Sequence, residues 1–113
     1  MIKHKVVLVP FPFDDLSETK VRPAVCLTDT IGQHQHVILV FITSHITATI
    51  LPTDIVIDSN SPDFVVAGLR VSSTLQLHRL ITVTRPFIQR DLGTLSPRLQ
   101  TEVSQRLKSL FGL

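Results

Sequence analysis

The stretch VVLVPFPFDDLSETKVRPAVCLT, residues Val6–Thr28, holds two apolar runs separated by a short charged segment. Val6–Phe11 and Pro23–Leu27 are rich in β-branched and apolar residues and read as strands. Pro10 and Pro12 each lack a backbone N–H, so the first strand must end there or lie at a sheet edge. The segment between the strands, with Asp14, Asp15, Glu18 and Lys20, is therefore free to face a ligand, and its aspartates equally suit side-chain bonds within a turn. Arg22 stands at the start of the second strand, where Pro23 forces its backbone to be extended. A planar guanidinium with five donors, fixed at that point, suits bidentate binding of a phosphate. From spacing alone, a surface arginine paired with Asp14, Asp15 or Glu18 is the simpler reading.

Outward from this stretch the pattern stays β. HVILVFIT, His36–Thr43, is continuously apolar and predicts a central strand. Thr53–Ser59 alternates Ile55 and Ile57 with Asp54, Val56 and Asp58, as a strand with one wetter face would. Gly68–Val83 reads as one or two strands joined near Leu75–Leu77, and Phe87–Gly93 as a last, weaker one. Only the C-terminus predicts a helix: Ser96 as N-cap, Pro97 at the first helical position, and Leu99, Val103, Leu107 and Leu110 at helical spacing. Gly112 stands where that helix would stop. About six short strands and a terminal helix predict a mostly β fold, a small antiparallel barrel forming one domain over residues 1–113.

Composition narrows the classes further. Of the 113 residues 43% are hydrophobic, and the mean hydropathy is +0.32. An excess of that kind in a short chain is explained when a second copy covers part of the surface. No apolar run approaches the ~20 residues of a membrane span. The lysines of MIKHKVVLVPF precede an apolar stretch broken by Pro10 and Pro12, with no small-residue cleavage site after it, which argues against a signal peptide. The lone Cys26, inside AVCLT, predicts core filling rather than a reactive thiol and fits a cytoplasmic home. The net charge of +2 is unevenly spread: residues 70–113 hold seven Lys/Arg against Asp91 and Glu102, which gives weak support to an anionic partner.

Several side chains invite a chemical reading. Thr43, Ser44 and His45 end the most apolar strand; continued alternation would place Thr43 and His45 on one face and Ser44 on the other. Hydroxyls at a strand end commonly close a turn, and only a nearby cation would give Thr43 a catalytic look. His34 and His36, two apart in QHQH, could start a metal site, but no second Cys/His cluster stands near, and a polar hairpin turn is the simpler reading. His78, Arg79 and Arg85 are candidate phosphate contacts, although isolated basic residues of β proteins are mostly solvated surface. The chain has no GxSxG, P-loop or HExxH motif, which disfavours metal- and nucleotide-dependent chemistry, so no cofactor is expected.

Taken in order, VVLVPFPFDDLSETKVRPAVCLT, HVILVFITSH, TDIVID, GLRVSSTLQLHRLITV and the leucine-striped helix resemble the MazF/PemK-like toxin family of type II toxin–antitoxin systems over nearly the whole chain. The resemblance implies an SH3-like barrel of the CcdB/Kid/PemK type, a homodimer, a cognate antitoxin protein, and metal-independent cleavage of single-stranded RNA. It puts the family's catalytic arginine on Arg22 and its catalytic threonine on Thr43. Ser44, His45, Gln76 and Arg79 become candidates for catalysis or RNA binding, and Phe13, Asp14 and Lys20 for an RNA-binding loop. His4 and Lys5 replace the family's usual Gly-acid pair, and Gln76 replaces an acidic residue, which leaves the proton-transfer groups open. The alternative within the same resemblance is a toxin that acts by protein contact, as CcdB does, or a homologue that only binds an antitoxin.

Overall fold

The expected strands form in the computed structural model, which describes residues 1–11, 20–45 and 50–113, with only the backbone of Phe11 and Lys20. Phe13, Asp14, Asp15 and Glu18 lie outside the described residues. Strands β1 (Lys5–Phe11), β2 (Lys20–Cys26), β3 (His36–Thr43), β4 (Asp54–Ile57), β5 (Ser73–Thr84) and β6 (Arg90–Thr94) form one sheet in the order β4-β5-β3-β2-β1-β6. Every pairing is antiparallel, and the sheet curls into a half-barrel crossed by the C-terminal helix α2, Pro97–Leu110. His34 and His36 sit at a tight turn closed by the Ile31–His36 bridge, with Gly32 and Gln35 at positive φ. Among the described residues no helix is long and apolar enough to cross a membrane.

Strand β5 is a single strand that starts at Ser73, five residues later than the sequence suggested. Its pairing with β3 runs from His36↔Thr84 to Val40↔Leu80, then resumes at Ile42↔Leu75. Three more residues are used on β5 than on β3 across this step, so β5 bulges near Gln76–Arg79 and bends. The bend lets one strand serve two cores. Leu75 and Leu77 join Val6, Val25, Val40, Ile42, Ile55, Ile57, Leu95, Leu99 and Val103 on one side. Beyond the bulge, Ile81 and Val83 pack against Val7, Val9, Ala24, Cys26, Val37 and Leu39 on the other. Each fully buried side chain of the Val or Leu size contributes about 1.5–3 kcal/mol, so the continuous apolar run of β3 reflects burial on both faces. Cys26 is part of that second core, as expected, and burial pushes its thiol up to about 11.

Helix α1, Pro62–Ala67, was not expected. Its signals are local: the Ser61 hydroxyl accepts from the Asp63 N–H at 3.2 Å, Pro62 fills the first turn, and Gly68 closes the helix at φ 71°. Six residues carry too little periodicity to stand out. Helix α2 starts as predicted, with the Ser96 hydroxyl accepting from the Leu99 N–H at 3.3 Å. Leu99 and Val103 are buried, but Leu110 is 37% exposed, so the apolar stripe ends one turn early. Asp63 locks the two helices together. Its carboxylate accepts from the Ser61 hydroxyl at 2.9 Å, from Arg98 Nε at 3.0 Å and from the Ser96 hydroxyl. The Arg98 bonds, then Ser96, hold the Asp63 carboxyl below its ordinary value.

The Gly-acid position of the family carries a strained histidine. His4 has φ 73°, a region that favours glycine, while its N–H donates to the Cys26 carbonyl at 2.7 Å and its carbonyl accepts from the Leu95 N–H at 2.9 Å. Burial, and then Lys3, push its imidazole below the ordinary 6.5. The folded ring therefore resists a proton that the unfolded chain accepts. Between about pH 6.5 and the onset of Cys26 ionisation in the unfolded chain near pH 9, stability is expected to be flat, and it should decline as the pH falls from 6.5 through the lower folded value of His4. The lowered carboxylates, Asp29 and Asp63, act only below about 3.8 and leave this window clear. Urea midpoints at pH 5 and pH 7.5 measure the decline, and His4→Asn, which tolerates positive φ, should reduce it.

Candidate functional site

Arg22 is the third residue of β2, opposite Val9 on β1, and its neighbours Ala24, Val25 and Cys26 are buried. The strand is thus anchored on its C-terminal side and presents Arg22 at its opening end. β2 pairs with β3 as Cys26↔Leu39, Val25↔Val40 and Ala24↔Phe41. That pairing ends at Ala24↔Phe41, so Arg22 on β2 and Thr43 at the end of β3 both lie beyond the paired register. Thr43 is the partner of Thr74 on β5.

The strand ends at Thr43, so alternation stops short of His45. His45 instead folds back, and its backbone N–H donates to Thr43 Oγ1 at 3.1 Å. A threonine hydroxyl holds one proton and two lone pairs. With one lone pair occupied by His45, the Thr43 proton is directed to another acceptor. The His45 side chain is exposed.

A groove of about 550 Å³ has Arg22 in its lining. Its floor is apolar, with Leu8, Pro23, Ile42 and Leu92, and its polar lining comes from Arg22, Ser44, Arg70, Ser73, Arg90 and Asp91. Of the residues that the sequence singled out, Arg22 and Ser44 line this groove. Thr43, His45, Gln76 and Arg79 do not line the groove. Gln76 and Arg79 are engaged with each other at the β5 bulge, Arg79 donating to Gln76 Oε1 at 3.3 Å. Where Gln76 lacks a carboxylate, its cross-strand partner Asp54 supplies a buried one, whose Oδ2 accepts from the Leu51 N–H at 3.0 Å. Lys20 enters β2 opposite Phe11.

Arg70 and Arg90 escaped the sequence reading. Arg70 follows Gly68, the end of the unexpected helix, and Arg90 opens the weak strand β6. The capped segment SPDFVVAG was the signal that would have placed Arg70 on a fixed turn.

A family model described as "PemK-like, MazF-like toxin of type II toxin-antitoxin system" matches residues 3–111. The chain belongs to the PemK-like, MazF-like toxin family. A search of curated proteins finds no significant match. Among solved structures, this family member resembles the Mycobacterium tuberculosis toxin MazF-mt6 with a TM-score of 0.73 at 19% identity, over 96% of this chain and 97% of that one. It resembles a chain of the MazE-MazF structure from Deinococcus radiodurans with a TM-score of 0.74 at 17% identity, over 100% and 97%. An endoribonuclease in complex with its cognate antitoxin, from a mycobacterial species, matches with a TM-score of 0.73 at 14% identity, over 100% and 96%. At these identities the likeness speaks for the fold, and it agrees with the mostly β antiparallel fold expected from the strands, whose sheet here curls into a half-barrel.

Proposed function

We propose that this chain is the toxin of a type II toxin–antitoxin pair and cleaves single-stranded RNA in the cytoplasm without a metal ion, as a homodimer silenced by its antitoxin. The observation that carries this reading is the groove whose lining brings together Arg22, Arg70 and Arg90. In the reaction the ribose 2′-oxygen bonds to the adjacent phosphorus and the bond to the 5′-oxygen breaks. The products are a 2′,3′-cyclic phosphate and a 5′-hydroxyl, with one proton leaving the 2′-oxygen and one reaching the 5′-oxygen. Negative charge grows on the non-bridging oxygens in between. Arg22 stabilises that charge, and one such preorganised donor is worth about 2.7–4 kcal/mol. A guanidinium keeps its proton in proteins and is a poor proton carrier near neutrality. Thr43 lies outside the groove lining, and its part in the reaction rests on the family resemblance alone.

Titratable candidates for moving the protons are few near Thr43. His45 is adjacent, and His45→Gln keeps the backbone bond to Thr43 while removing the ring, so its rate separates the two roles. The reading as a whole is tested with purified protein, a labelled single-stranded RNA and EDTA. Fragments ending in a 2′,3′-cyclic phosphate support it; intact RNA under conditions where the protein is folded overturns it. Nothing on this surface favours the contact-only alternative.

A further inference from the structure

Three of the seven Lys/Arg in residues 70–113 are engaged elsewhere in the fold. Arg98 and Arg106 are tied up on α2, with Asp63 and Glu102, and Arg106 also donates to the Pro52 and Asp54 carbonyls at 2.8 Å. Arg79 is held by Gln76. Arg70 and Arg90, by contrast, carry no ion pair or side-chain hydrogen bond among the described residues, yet both line the groove that Arg22 enters. Among the described residues, the one carboxylate in that lining, Asp91, is paired with Lys5 at 2.7 Å.

Their placement is fixed by backbone. Leu8 pairs with Arg90 on one side and Pro23 on the other, so Arg90 and the Arg22–Pro23 step are two strand spacings apart, on the order of 10 Å. Arg70 reaches the same groove from the turn after α1, whose closing Gly68 rests against the Leu92 backbone of β6. Three arginines from three separate elements thus surround an apolar floor of Leu8, Pro23, Ile42 and Leu92. Fixed cations around apolar surface complement a strand that has charged phosphates and flat, weakly polar bases.

We propose that Arg70 and Arg90 bind the phosphates that flank the scissile one, holding single-stranded RNA along the groove while Arg22 acts on the reacting phosphate. This rests on the ribonuclease reading and assigns it two positioning residues. Because they grip phosphates before and during the reaction alike, they contribute to substrate binding rather than to the chemical step.

The test uses the intact protein and a labelled 2′-O-methyl RNA oligonucleotide, which binds but lacks the attacking hydroxyl. Its Kd is followed from 50 to 200 mM salt for the native chain and for R70Q, R90Q, R70K and R90K. Each glutamine variant should weaken binding about 3–10-fold at low salt and lower the steepness of log K against log salt by about 0.7, the value for one phosphate on a single strand. The lysine variants should keep the native slope. In cleavage assays the glutamine variants should raise KM and leave kcat unchanged. A native chain that cleaves RNA while R70Q and R90Q keep its slope overturns the inference and leaves the ribonuclease reading standing. A native chain that neither binds nor cleaves overturns both. Binding of poly-glutamate that depends on Arg70 and Arg90, with RNA binding unaffected, assigns them to an acidic protein partner and overturns the inference as well.

Discussion

Purified Arg22→Ala protein is expected to cleave single-stranded RNA about 10²–10³-fold more slowly than the native chain, with an unchanged circular dichroism spectrum. The size of the loss follows from what the reaction demands. The phosphorus gains a fifth oxygen before the 5′-oxygen leaves, and the added charge must be met by a donor already in place. Arg22 is so placed because Pro23 restricts its backbone and the buried trio Ala24, Val25 and Cys26 fixes the rest of the strand. Truncating a side chain at the open end of β2 removes none of that trio, so the sheet should form. Arg22→Lys is expected to fall between the two, since an ammonium keeps the charge and loses the planar fork. Single-turnover rates with saturating RNA isolate the chemical step. A folded Arg22→Ala protein cleaving at the native rate would show that the charge is stabilised elsewhere.

The strands were legible because both halves of the sheet are buried, and burial writes itself as continuous β-branched runs. His36–Thr43 is the clearest case: its two faces enter two different cores. The same logic failed where local geometry dominates. Helix α1 is a matter of one cap, one proline and one glycine, and the bulge in β5 has no hydrophobic period of its own. At the site, Arg22 and Thr43 were assigned through the family resemblance, because spacing alone favoured a surface arginine and a hydroxyl closing a turn. Arg70 and Arg90 went unnoticed because they come to the groove through the pairing of β6 with β1 and through a helix end, which leave no local pattern. Gln76 and Arg79, singled out by the resemblance, are hydrogen-bonded to each other at the bulge, a contact that the sequence did not show.

Gly68→Ala is expected to be the most damaging single methyl that this chain can receive near the site. Two costs combine there, and Gly32 separates them. Both residues hold almost the same left-handed conformation, φ 71° and 72°. An added Cβ at Gly32 would meet nothing within 4 Å, so Gly32→Ala should cost only the conformational penalty, about 1–2 kcal/mol. At Gly68 the same Cβ would lie 2.1 Å from the Leu92 carbonyl oxygen and 2.8 Å from its carbon. These are backbone atoms of β6, which move only if α1 and the strand part. Overpacking of that kind adds about 1–3 kcal/mol, occasionally more, against a total stability of about 5–15 kcal/mol. Thermal midpoints should therefore fall at least ~5–10 °C further for Gly68→Ala than for Gly32→Ala. Because Gly68 and Leu92 both line the groove between Arg70 and Arg90, the loss should extend to function. At temperatures where both variants are folded, Gly68→Ala should bind the 2′-O-methyl oligonucleotide more weakly than Gly32→Ala. Equal midpoints for the two variants would mean that α1 yields to the methyl without cost, and that its contact with β6 does not set the groove.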